Sequence, residues 1–272
     1  MIKTSLDKRE AIRSIVHASV ESFAVGFQGR HEGEIEDPEG TLNMKIHNVF
    51  IAVLGPEIQY YTALVRSLDS SLGNMLEKLA INIAGFSYEV KRRVEGPLSV
   101  EQTRGVAELL EKYKRHEIRP PTVEDYQFLR SKPKDHTLKT KRHESDYYLI
   151  DKESGDSFLI ELKIGGDLDN KKARSEKEAL LEQFAILSNT LPQSTKIKLF
   201  FATAYNRFGE GKPWRQERVK QFFANNELLI GKDFWDFVCK SESGYDIVLS
   251  AYKEKAVLIK NTLDSIKKTY LG

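Results

Sequence analysis

Residues 143–166 read HESDYYLIDKESGDSFLIELKIGG, and this stretch decides the fold. Two apolar, β-prone runs, 147–150 and 158–160, flank the polar turn Lys152-Glu153-Ser154-Gly155, which is the pattern of a β-hairpin. With Asp151 paired to Asp156 across a four-residue loop, Ile150 faces Ser157 and Asp146 faces Glu161. Directly opposed side chains sit roughly 4.5–5.5 Å apart at Cβ. Side chains two apart share a face, so Lys163 projects beside Glu161 while Leu162 points into the opposite layer. Two carboxylates and one lysine thus converge at one end of the hairpin. Opposed like charges are destabilising, so a divalent cation between them is the natural resolution. Oxygen ligands of this kind suit Mg²⁺.

Outward from the hairpin, the chain alternates helices and strands. Upstream, 68–83 predicts a helix with Leu72, Leu76, Leu79 and Ile83 as its apolar stripe and Glu77 on the border, and 86–94 predicts a strand. Ser99-Val100-Glu101-Gln102 is a capping-box pattern opening a helix to about 114. Pro120 and Pro121 break the chain, and Thr122 caps a short helix through 129. Downstream, a turn leads into a helix over 171–188 with Ala173, Leu180 and Phe184 on its core side, and 196–204 is a buried strand. A helix, a three-strand meander, a crossover helix and a fourth strand make an α/β sandwich with a central mixed sheet flanked by helices. The 171–188 helix is long enough for the crossover that a parallel pair requires.

The ends of the chain read as helical. Residues 7–26 predict an amphipathic helix, 28–43 a polar loop holding His31, 44–54 a strand or a buried helix, and 58–66 a helix started by Pro56. Helices are expected over 214–223, 234–239 and 244–270. The expected organisation is one domain over 1–272, with helical regions at 1–67 and 205–272 around an αβββαβ core at 68–204 that carries an insertion at 95–143.

At 272 residues with 42 basic and 40 acidic side chains, the net charge of +2 points to no class of partner. Any nucleic-acid surface must come from local clustering. One basic segment, 131–143, carries Lys132, Lys134, Lys139, Lys141 and Arg142 and leads directly into Asp146; it reads either as a solvated loop or as a phosphate contact. Cys239 is alone, so no intrachain disulfide forms and a reducing, cytoplasmic setting is expected. No apolar run approaches the length of a membrane span and no secretory leader is evident at the N-terminus. Walker A and G-x-G-x-x-G patterns are lacking, which disfavours a nucleotide-dependent small-molecule enzyme.

Acid-x-Lys triplets occur four times, ending at Lys91, Lys163, Lys171 and Lys212. Only Glu161-Leu162-Lys163 ends a strongly apolar strand with an acid opposite in register. The chemistry fits phosphodiester hydrolysis. A metal held by Asp146, Glu161 and the Leu162 carbonyl lowers the pKa of the attacking water, and Lys163 orients that water and stabilises developing charge. The competing reading makes Asp146 a solvent-facing strand end and Lys163 a snorkelling side chain.

Asp146…Glu161-Leu162-Lys163, in that αβββαβ order, resembles the PD-(D/E)xK nuclease superfamily, whose members are mostly Mg²⁺-dependent DNA endonucleases. Ser145 stands where the family usually has proline. The resemblance implies that Glu77, in Gly73-Asn74-Met75-Leu76-Glu77, is an accessory metal or water ligand, and places the polar Gln183 near the site. The blocks ALVRSLDSSLGNMLEKLA and DYYL…IELKIGGDLDNKKA resemble type II restriction endonucleases of the TdeIII kind over roughly 45–240. That implies cleavage of double-stranded DNA at a short palindrome such as GGNCC, by a homodimer, with a cognate methyltransferase encoded separately. Lys139, Lys141, Arg142, Asn170, Lys171, Lys172 and Arg215 are the expected DNA contacts. A structure-selective repair or junction-resolving nuclease, and a non-catalytic DNA-binding protein on the same scaffold, are the alternatives.

Overall fold

In the computed structural model, which describes residues 5–131 and 138–272, the chain opens with helices. The first, α1 (Ser5–Gly33), forms because Ile12, Val16, Val20, Ala24 and Phe27 recur every three or four residues and bury one stripe. It continues past residue 26, where a loop was expected. His31 is buried on its last turn, 3.0 Å from Ser67 Oγ and edge-on to the Phe27 ring. Residues 44–54 form neither a strand nor a buried helix. They fold as a 3-10 turn (Asn43–His47) and the short α2 (Val49–Ala52), with most of their large apolar side chains exposed. Then α3 (Pro56–Ala84) runs uninterrupted where two helices were expected. The serines at its supposed break do not cap a new helix: Ser67 and Ser71 each accept a 3.0 Å hydrogen bond from Arg30.

The sheet follows as β1 (Tyr88–Ser99), α4 (Val100–Lys114), β2 (Leu138–Asp151), β3 (Ser157–Leu162), α5 (Asn170–Thr190), β4 (Ile197–Thr203), α6 (Glu217–Lys220), β5 (Leu228–Ile230) and α7 (Lys232–Cys239), before a final α8 (Gly244–Leu271). The chain divides into two compact units. One is helical, up to Ile83 with Asp246–Gly272; the other, Ala84–Tyr245, holds the sheet. In the helical unit, Phe27, Leu42, Tyr60, Leu64 and Ile266 form a core. There Arg13 donates to Glu254 at 2.9 Å and the Tyr270 hydroxyl to the His31 carbonyl at 3.0 Å. Among the described residues no helix is long and apolar enough to cross a membrane.

The sheet is mixed, five-stranded and ordered β1-β2-β3-β4-β5. The first three strands pair antiparallel, and β3/β4 and β4/β5 pair parallel. The α/β sandwich read from the sequence is thus present, with β5 as an added short strand. The hairpin has the expected register, with Ile150 opposite Ser157 and Tyr147 opposite Ile160. Its turn is held by the Asp151 carboxylate, which accepts from Glu153 N (2.8 Å) and Ser154 N (3.1 Å).

Two expected boundaries move. The basic segment at 138–145 is strand rather than linker: it pairs with the second half of β1, from Glu95 opposite Arg142 to Ser99 opposite Leu138. Lys132 and Lys134 lie outside the described residues. The helix expected over 214–223 shrinks to α6, because Trp214 and Phe222 turn inward to the core.

Helix α5 crosses one face of the sheet and packs Leu180, Phe184 and Ile186 against Tyr148, Leu159 and Leu199. The approach is close at β1: a Cβ on Gly96 would stand 2.8 Å from Ile186 Cγ2 and 2.9 Å from Thr190 Cγ2. Helix α7 covers the other face, stacking Phe237 on Tyr88 and setting it edge-on to Phe158. The expected capping box at Ser99 and Gln102 is complete.

Candidate active site

The site is built where β2, β3 and the first turns of α5 meet. Leu159 faces α5, so the alternation of β3 turns Glu161 to that side, and Asp146 lies in β2 where the register with β1 shifts between Tyr148 and Glu144. The last paired residues of the hairpin are Tyr147 and Ile160. One step beyond them, Asp146 Oδ2 accepts a hydrogen bond from Leu162 N at 3.1 Å. This bond draws the Asp146 carboxylate over the end of β3, next to Glu161.

Past Leu162 the chain stays tied to β4: Lys163 N donates to the Ala202 carbonyl at 3.0 Å and Ala204 N to the Ile164 carbonyl at 3.1 Å. It then turns at Gly166, whose N–H bonds to the Lys163 carbonyl at 3.0 Å. Gly166 has φ +64°, and a Cβ there would stand 2.7 Å from Thr203 Cγ2, so a residue with a side chain is excluded on both counts. Asp169 caps α5 by accepting from Lys172 N at 2.8 Å.

Within this frame Lys163 Nζ lies 2.5 Å from Glu161 Oε1 and 3.1 Å from Glu176 Oε1. Glu161 is 12% exposed. Burial first, and the Asp146 charge second, push its carboxyl up to about 8, against the opposing pull of Lys163. Burial alone works to lower the Lys163 ammonium, but Glu161 and Glu176 together overcome it and raise it above the usual lysine range.

Glu161 and Glu176 flank the Lys163 ammonium and Asp146 stands beside Glu161, so negative charge exceeds positive in a half-buried place, which is the electrostatic setting that accepts a cation. Among the described residues no group of three or more His, Cys, Asp and Glu side chains converges as a metal site. The available donors are therefore the Asp146 and Glu161 carboxylates and backbone carbonyl oxygen. One or two carboxylates with the remaining positions left to water and substrate is how Mg²⁺ is commonly held, so the residues present fit such an ion.

The geometry thus brings Asp146, Glu161 and Lys163 together and adds Glu176, which sequence reasoning missed. Its place on the 173/176/180 stripe of α5 did not mark it out, because the neighbouring Lys177 is equally charged and turns to the core. Glu77 lies half-buried on α3 in the helical unit and is not among the residues the sheet unit itself assembles. Gln183 is buried on α5.

The expected DNA contacts fall into two groups. Lys139 and Arg142 are exposed on β2, and Asn170, Lys171 and Lys172 are exposed at the start of α5. Arg215 is exposed and sits over the Phe208 ring, 5.2 Å from its centroid. Lys141 is engaged elsewhere, donating to both oxygens of Glu182 at 2.7 and 2.8 Å. Burial works to raise the Glu182 carboxyl, but hydrogen bonds from His143 and Lys141 outweigh it and hold it below the usual range. A depression of about 490 Å³ beside Asn170 adds His116, Arg119, Arg218 and Lys220, none of which stood out in the sequence.

The family described as "HinfI: Type II restriction endonuclease, HinfI" matches residues 8–256 of the chain. No curated protein and no solved structure matches.

Proposed function

Because the chain belongs to the HinfI family of type II restriction endonucleases, we propose that the cluster at Asp146, Glu161 and Lys163 is its catalytic centre. The reaction is Mg²⁺-dependent hydrolysis of phosphodiester bonds in double-stranded DNA at a short palindrome. The observation that carries this is the Asp146 carboxylate bonded across to Leu162 N, beside a half-buried Glu161 that already holds Lys163.

Asp146, Glu161 and the Leu162 carbonyl would hold the Mg²⁺ ion. A divalent cation there supplies Lewis-acid polarisation of the phosphate and lowers the pKa of the attacking water. Lys163 places its ammonium where it orients that water and meets the charge that develops on the phosphate oxygens. Glu176 gives Lys163 a second anchor, so its ammonium would stay held were Glu161 to serve as an ion ligand. Glu176→Ala is expected to lower kcat roughly tenfold through misplacement of Lys163, with KM for DNA unchanged. An unchanged kcat would mean that Glu161 alone positions the lysine.

Lys139, Arg142, Asn170, Lys171, Lys172 and Arg215, with Arg119, Arg218 and Lys220, supply phosphate contacts that give affinity and register without reading sequence. Lys141 joins them only by leaving Glu182. Cutting both strands of a palindrome implies a two-fold homodimer. The protein would act in the cytoplasm, with a separately encoded methyltransferase protecting the host's own sites. GGNCC, implied by the TdeIII resemblance, is one candidate target and has no support from the family matched here.

The proposal is tested by incubating plasmid DNA with the protein and Mg²⁺. Discrete fragments are expected, and EDTA should abolish them. An uncut plasmid, or cleavage confined to branched DNA, would overturn the reading in favour of a binding protein or a junction-resolving nuclease.

A further inference from the structure

Large apolar side chains are exposed at Met44, Ile46, Val49, Phe50, Val53, Leu54 and Ile58, all within one short segment of the helical unit. Phe50 is 83% and Val53 82% exposed. The segment is not loosely packed. Asn43 Nδ2 donates to the Glu34, Ile35 and Asp37 carbonyls at 3.0, 2.9 and 2.7 Å. Asn48 caps α2 by accepting from Ile51 N, and Gln59 Nε2 donates to the Ala52 carbonyl at 3.2 Å. A polar frame therefore displays these side chains rather than failing to bury them.

We infer that this apolar face is the contact through which two copies of the chain pair. The occupant follows from area and charge. Seven such side chains leave several hundred Å² of apolar surface open, more than a monomer ordinarily tolerates and on the scale of the roughly 800 Å² that each partner buries in a standard interface. From Val49 to Pro56 the chain carries no charged residue. A DNA interface would be basic, whereas this face carries Lys45, His47 and Glu57 only at its ends, and an apolar centre is complementary to itself across a two-fold axis. The inference deepens the reading of this protein as an enzyme that cuts both strands of a palindrome and rests on it for the need of a second copy.

The test is the solution mass of the full chain without DNA, by light scattering after gel filtration, alongside plasmid cleavage. The wild type is expected at twice its 31.1 kDa chain mass. Phe50→Asp with Val53→Lys should give a monomer of unchanged circular dichroism and melting temperature, since both positions are exposed, with dimer affinity lowered at least 100-fold. Double-strand cleavage should then give way to nicking. A monomeric wild type, a variant that remains dimeric, or a wild type that instead binds lipid vesicles through this face would overturn the inference. A dimeric wild type that leaves DNA intact would count against the nuclease reading while the mass comparison still decides the surface.

Discussion

Lys163→Ala and Asp146→Ala are expected to bind duplex DNA as the wild type does and to leave a plasmid uncut, with turnover lower by about three orders of magnitude or more. Each removes a different part of one constellation. Lys163→Ala removes the ammonium placed against both Glu161 and Glu176. Asp146 loses one of two carboxylates and the bond that fixes it to Leu162 N. Glu161→Gln separates catalysis from folding. Burial and Asp146 both oppose the charge on Glu161, so the amide should abolish cleavage while the melting temperature of the metal-free protein holds or rises. Gel shifts on a cognate fragment, plasmid cleavage and thermal melts read all three variants. Cleavage persisting in Asp146→Ala would remove that residue from the catalytic centre.

Glu227→Ala is expected to cost about 3–5 kcal/mol of stability, a fall in melting temperature on the order of 10 °C. Lys177 reaches the sheet unit's core from α5, and its Nζ donates to both Glu227 oxygens at 2.7 Å with the side chains 0% and 1% exposed. The Tyr126 hydroxyl and Ala224 N donate to the same carboxylate at 2.7 Å each. The ammonium also sits 4.8 Å from the Tyr126 ring centroid and 4.9 Å from that of Phe223. Burial pulls the Lys177 ammonium below its usual range even with Glu227 beside it, so removing the carboxylate leaves a buried charge without its ion-pair partner. Lys177→Met added to Glu227→Ala should recover part of the loss, because the unpaired charge goes with it. Urea unfolding measures both, and a loss below about 1 kcal/mol for Glu227→Ala would mean that water reaches the ammonium.

Where hydrophobic period and turn chemistry agreed, the sequence was readable. The hairpin register followed from loop length and alternation, and the cap at Ser99, the crossover helix and β4 followed from equally local signals. The first half of β2 was hidden because Lys139, Lys141 and Arg142 alternate with other polar residues, leaving no apolar face to count. Its pairing partner in β1 supplies what the pattern lacks. Charged residues inside helices hid their roles in a different way. Glu176 and Lys177 are neighbours on α5, yet one turns to the site and the other to the core, and only the three-dimensional partner of each distinguishes them. At α3 two helices were expected where one runs through, and the bonds from Arg30 that hold Ser67 and Ser71 within it come from a distant helix that local pattern does not reveal. Asp146, Glu161 and Lys163 were legible because the hairpin alone determines their approach.

The most direct test of the central claim is sequencing of the ends left on a plasmid digested with Mg²⁺. Every end should map to one short palindrome, with cuts on the two strands related by its two-fold axis. Ends scattered over the plasmid with no shared sequence would contradict the assignment of this site to sequence-specific cleavage of double-stranded DNA.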